Sequence, residues 1–121
     1  MSSEIRITGS LQVTKGNLKF QKSNVQLSAD MAGDSAYNAT VSVGTSAATL
    51  TLPSEIATAG MFMMRNTGTN NIEIGLGTGT NFAGFLKLKS GEFSVGRLDT
   101  NTIAGKAAGA ATPLDIMVIE D

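Results

Sequence analysis

The chain has 121 residues, with nine Lys or Arg, ten Asp or Glu, no histidine, no cysteine and a net charge of −1. Without Cys or His it lacks thiol catalysis, Cys-ligated zinc and iron–sulfur sites, the commonest general base and the Ser-His-Asp triad. So small a net charge directs no global field toward nucleic acid or a membrane, and a length of this order predicts one domain that folds unaided.

The N-terminal stretch MSSEIRITGS alternates in character and does not run apolar, so no signal peptide is expected. No window approaches the roughly 18 apolar residues of a membrane helix. The expectation is a soluble chain made in the host cytoplasm. Ile5, Ile7, Leu11 and Val13 share one parity around Gly9, which predicts a half-buried strand bent at the glycine. Lys15-Gly16-Asn17 supplies a turn. Leu18 and Phe20 then fall on even positions and Val25 and Leu27 on odd ones, which predicts a bulge or second turn near Lys22-Ser23-Asn24. Residues 29–39 read as a loop.

From Thr40 the pattern becomes regular. Val41 and Val43 lead to Gly44, and Thr49–Leu52 reads as a strand stopped by Pro53. SEIATAG reads as a helical turn or loop. Strands are expected at Gly60–Arg65, Ile72–Ile74, Phe82–Leu88, Glu92–Leu98, Thr102–Ala107 and Leu114–Glu120, with turns at Asn66–Asn71 and Ser90-Gly91. Short strands with turn signals about every 8–12 residues, and no helical period over three turns, predict an antiparallel sandwich or barrel.

RNTGTNNIEIGLGTGTNF tests for a phosphate loop. A dinucleotide fingerprint needs Gly-x-Gly-x-x-Gly leading into a helix. Here Gly75, Gly77 and Gly79 are spaced by two, Phe82 stands where the last glycine would be, and FAGFLKLKSGEF continues with strand character. Gly105-Lys106 is followed by Ala107, so no Walker loop is formed either. The glycines read instead as conformational freedom in an inter-strand loop.

The run Met61-Phe62-Met63-Met64 puts Met61 and Met63 on one face and Phe62 and Met64 on the other, as in a central strand buried on both sides. Its methionines also suit an adaptable contact with another subunit; a methionine copper site has no His or Cys to complete it. Lys87 and Lys89 read as a solvated strand face, without the aromatic platforms that single-stranded nucleic acid needs. Glu55, Glu73, Glu92, Asp99 and Asp115 mark out no glycosidase pair, and Asp30 and Asp34 do not match an EF-hand. Tyr37 is the one Tyr, and there is no Trp, so a sugar-stacking platform is poorly supplied.

GTSAATLTLP, FMMRNTGTNNIEIG, FLKLKSGEFSVGRLD and the terminal PLDIMVIED together resemble small tailed-bacteriophage virion structural proteins. The resemblance covers roughly residues 41–121, rests on turn-and-strand patterns, and carries no catalytic residues over. It implies a virion component: a capsid decoration (cement) protein or a tail accessory.

The expected fold is therefore all-β, an antiparallel β-sandwich of jelly-roll type with an N-terminal β-hairpin. Residues 1–38 form the hairpin and loop, a docking arm, and residues 39–121 the body. The expected function is non-enzymatic: a capsid decoration or minor capsid protein located in the virion. Its partners would be the major capsid protein or another virion protein, together with its own copies, for instance as a trimer. Nucleic acid, membrane, metal and cofactor are not expected as ligands. Residues 1–28 carry Arg6, Lys15, Lys19 and Lys22 against Glu4, and the remainder carries five basic and nine acidic residues, which favours docking by a basic hairpin. Met61, Met63 and Phe85 are the apolar anchors expected on the body. The alternative is a tail-associated adhesin or carbohydrate-binding module in which Tyr37 contacts sugar.

Overall fold

The structure, a computed structural model, describes residues 4–121. Met1, Ser2 and Ser3, which open the stretch read as no signal peptide, lie outside the described residues. The strands are β1 (Ile5–Lys15), β2 (Leu18–Ala29), β3 (Ala36–Val43), β4 (Ala48–Leu50), β5 (Ala59–Asn66), β6 (Ile72–Leu76), β7 (Ala83–Leu88), β8 (Phe93–Arg97), β9 (Ile103–Ala107) and β10 (Thr112–Glu120). One 3-10 turn, Gly79–Asn81, interrupts them. All pairings are antiparallel. Among the described residues no helix is long and apolar enough to cross a membrane. The chain divides into two compact units, one ending at Ala32 and the other spanning Gly33–Asp121, a few residues before the boundary expected at 38/39.

The first unit is a two-stranded ribbon of β1 and β2. Lys15 pairs with Leu18 across a two-residue turn. Gly16 supplies its positive φ of 58°, as the first central residue of a II′ hairpin turn requires. The register shifts between Gly9 and Leu11, which pair with Val25 and Lys22. The extra residue on β2 lies beside Asn24, whose φ is +58°, so the parity change read between Phe20 and Val25 is a β-bulge. Its effect is to bring both halves of the apolar pattern onto one face. Ile7 pairs with Leu27 and Val13 with Phe20, while Thr8–Gln26, Gln12–Gln21 and Thr14–Lys19 share the other face.

The second unit holds two four-stranded sheets, ordered β3-β10-β5-β8 and β4-β9-β6-β7. The pairings nest: β3 with β10, β4 with β9, β5 with β8 and β6 with β7. Alternation decides what each sheet turns inward. In the first sheet, Leu114 lies between Val41 and Asn66, and Ile116 between Ala39 and Met64. In the second, Ile72 lies between Ala107 and Leu88. Val43, Leu50, Met64, Ile72, Ile74, Ile103, Leu114 and Ile116 join one hydrophobic cluster fed by both sheets. Each such side chain contributes about 1.5–3 kcal/mol by leaving water. Gly105 keeps the layers close: a Cβ there would stand 3.2 Å from Val43 Cγ1 and 3.4 Å from Leu50 Cδ1.

Three side chains lock loops to this frame. Asn66 Nδ2 donates to the Asn70 and Leu88 carbonyls at 2.7 and 2.9 Å, and its Oδ1 accepts from Gly68 N at 2.9 Å. Asn101 Oδ1 accepts from Ala59 N at 2.7 Å, and its Nδ2 donates to Ile56 O at 2.9 Å. Glu120 accepts from the amides of Asp34, Ser35 and Ala57 at 3.1–3.2 Å.

Two segments differ from the sequence reading. Residues 36–39, read as loop, begin β3. Ala-Tyr-Asn-Ala has weak strand propensity, and its ladder with residues 116–119 of β10 supplies what propensity does not. The strand ahead of Pro53 ends at Leu50, and the segment after it is a loop in which Ile56 N donates to Pro53 O at 3.0 Å.

Candidate functional site

The ribbon's apolar face is its most distinctive surface. Leu11, Val13, Leu18, Phe20, Val25 and Leu27 are all exposed, Phe20 to 53%. The alternation of β1 predicts a half-buried strand; of this stripe only Ile5, at the ribbon's base, is buried. The basic residues sort by face. Lys15 and Lys22 stand within the apolar stripe, opposite Leu18 and Leu11, whereas Arg6 and Lys19 lie on the polar face opposite Ser28 and Thr14. Lys15, Lys19 and Lys22 thus lie in the turn half of the ribbon, divided between its two faces, and Arg6 lies at the base.

A second apolar surface lies on the outside of the β3-β10-β5-β8 sheet. Met63 pairs with Met117 on one side and Val95 on the other; Met63 is 47% exposed and Met117 is exposed too. The next row runs Thr40, Asp115, Arg65 and Phe93, with Thr40 Oγ1 donating to Asp115 Oδ1 at 2.6 Å and Phe93 exposed. Met61, named with Met63 from the sequence, is only 6% exposed, and Met64 is fully buried. The four residues of the methionine run therefore divide between core and surface.

Phe85 owes its position to a second bulge. Ile74 pairs with Leu86 but Gly75 with Gly84, so Phe85 is the extra residue of β7, and it is 65% exposed. Phe85 and Leu86 both line an open cleft of about 410 Å³, with Phe62, Ile74 and Leu98 as further apolar walls and Arg97, Asp99 and Thr100 among its polar residues. Arg97 is held by Asp121 at 3.0 Å, an exposed ion pair of the kind worth about 1 kcal/mol or less.

The outside of the other sheet is charged. Glu73 stands between Lys106 and Lys87 in the ladder, so Lys87 of FLKLKSGEF faces an acidic neighbour. Among the glycines weighed for phosphate, Gly77 has φ 85° and Gly79 φ 57°. From there the chain passes through the three-residue 3-10 turn into β7, with no α-helix to present amides to a phosphate. Among the described residues no group of three or more acidic side chains gathers as metal ligands. Asp30 falls in the first unit and Asp34 in the second. Tyr37 is partly buried and packs against the core cluster.

The sequence singles out the ribbon for its lysines and hides its apolar face as a surface, because alternating hydrophobics read as buried. Phe93 and Met117 are hidden in the same way. Their signal is present only once β5, β8 and β10 are known to be neighbours. Comparison with known proteins returns no relative: no family model, no curated protein and no solved structure matches the chain.

Proposed function

We propose that this chain is a non-enzymatic virion structural protein, a capsid decoration or minor capsid protein that packs against a shell and against its own copies. The observation that carries this reading is the ribbon, whose apolar face is exposed at Leu11, Val13, Leu18, Phe20, Val25 and Leu27. An apolar stripe of this extent marks a surface meant to be covered by protein. In the same reading the body is a jelly-roll β-sandwich. Eight strands in two sheets with nested pairing support it, and that architecture is shared by viral capsid and lectin domains. Fold by itself assigns no function, so the weight rests on the exposed surfaces.

The ribbon is the docking arm, and Met63 and Phe85 are the apolar anchors on the body. Weak single contacts suffice for a protein displayed in many copies, because multivalency multiplies them. Particles purified from cells that produce the chain should carry the full-length protein through sedimentation. Removal of residues 2–32 should abolish that association while residues 33–121 stay folded. Normal occupancy by the truncated chain would show that the ribbon is not the docking element.

One observation favours a second reading, a tail-associated carbohydrate-binding module. The cleft beside Phe85 offers an exposed aromatic ring with Arg97 and Asp99 nearby. Tyr37, packed against the core, is not the stacking residue there. Saturable glycan binding lost in Phe85→Ala, with particle association intact, would favour this module.

A further inference from the structure

We infer that the ribbon's apolar face is a self-association surface, which pairs face to face with the same ribbon of a second copy, the two running in opposite directions. This deepens the proposed function by naming one partner. It is tested without particles, so its failure and that of the virion reading can be told apart.

Self-complementarity comes first. The bulge at Asn24 places Leu11, Val13, Leu18, Phe20, Val25 and Leu27 on one face, and all of them are exposed. An isolated two-stranded ribbon is marginal in water, and stability comes when its apolar face packs on another layer. The opposite face, with Thr8, Gln12, Thr14, Gln21 and Gln26, has no such need. A β-bulge that costs a register shift and a positive φ at Asn24 is explained by what it achieves. Without it the residues from Val25 onward would turn their apolar side chains to the polar face.

Area comes second. Those exposed side chains together offer on the order of 600 Å² to a partner, close to the roughly 800 Å² per side of a standard stable interface. With the lysine stems of the stripe included, the ribbon alone supplies most of a dimer contact. A ribbon whose first strand has 11 residues is about 35 Å long, which allows two of them to overlap along their whole length.

Charge sets the direction. On the apolar face the turn half carries Lys15 and Lys22, while Glu4 and Asp30 stand at the base beside Arg6. Pairing in the same direction would crowd the Lys15 and Lys22 of one ribbon against those of the other. Reversal places each basic tip beside the partner's carboxylates, and like-charge crowding is what orients such contacts. The resulting contact is isologous, closed by a two-fold axis.

Sedimentation equilibrium of the purified full-length chain at low salt tests this. The expected mass at high micromolar concentration is twice the 12.5 kDa of the chain. Leu11→Asp combined with Phe20→Asp should give monomer, with an unchanged unfolding midpoint for the body. Both side chains are exposed, so the substitutions spare the core. Lys15→Glu with Lys22→Glu should weaken the dimer at least about tenfold, and Glu4→Lys in that background should restore part of it. A wild-type monomer throughout the range, a trimer, an aspartate double variant of wild-type mass, or a dimer tightened by reversal at the tip would each overturn the inference.

Discussion

The Asn66 amide nitrogen stands 2.9 Å from the carbonyl oxygen of Leu88, with Asn66 fully buried and Leu88 nearly so. Through this bond the end of β5, in one sheet, is tied to the end of β7, in the other. The same side chain closes the 66–71 turn through Asn70 and Gly68. Asn66→Ala strips the buried Leu88 carbonyl and the part-buried Asn70 carbonyl of their donor. It should cost about 2–4 kcal/mol, since a lost bond and an unsatisfied buried group add. Urea unfolding measures it, and Asn66→Asp should also destabilise, because a carboxylate cannot donate to either carbonyl.

Met64 is fully buried, between Ile116 and Ser94 in the ladder. Met64→Ala should lower stability by about 2–5 kcal/mol through transfer and cavity terms. Met63→Ala, one residue away on the exposed face, should change it by less than about 0.5 kcal/mol. Equal losses from the two in chemical denaturation would contradict the alternation described for β5.

A Cβ at Gly105 would stand 3.2 Å from Val43 Cγ1 and 3.4 Å from Leu50, so Val43 would have to give way slightly. Gly105→Ala should cost about 1–3 kcal/mol by overpacking, and Gly105→Val more. Thermal melts of the two variants should rank in that order. A stabilised Gly105→Ala would mean that the layers can separate freely there.

Glu120 caps three amides at the start of β3 and in the loop before β5. Its partly exposed position lets water replace some of what is lost. Glu120→Ala should therefore cost only about 1–2 kcal/mol and accelerate amide exchange at Asp34, Ser35 and Ala57. Exchange at Ile116, deep in the core, should be unaffected short of global opening.

Residues 33–121 form a compact unit with their own core. Expressed alone, they should unfold in one cooperative transition at the midpoint shown by the body within the full chain. A truncated form that melts without cooperativity would show the body to depend on the ribbon.

Local chemistry was legible from residue order. Gly16 at the hairpin turn and the parity change between Phe20 and Val25 both concern neighbours in sequence, so the turn and the bulge could be read before any pairing was known. The all-β, antiparallel character came in the same way from alternation and turn spacing. The extent of β3 was not legible, because Ala36 to Ala39 are held by residues 116–119 and not by their own propensity. Phe85 could be named as an apolar candidate, yet its exposure comes from a bulge defined against β6.

By itself, then, the order of side chains determined that strands form, where they turn and which residues share a face, since a period of two is a property of each strand alone. Tertiary structure decided which faces are covered. Met61 and Met63 have the same parity and opposite fates, and β1 keeps one parity as β10 does although its side chains from Leu11 onward stay open. Alternation specifies two chemically distinct faces, but burial depends on what another, distant stretch of chain lays against them.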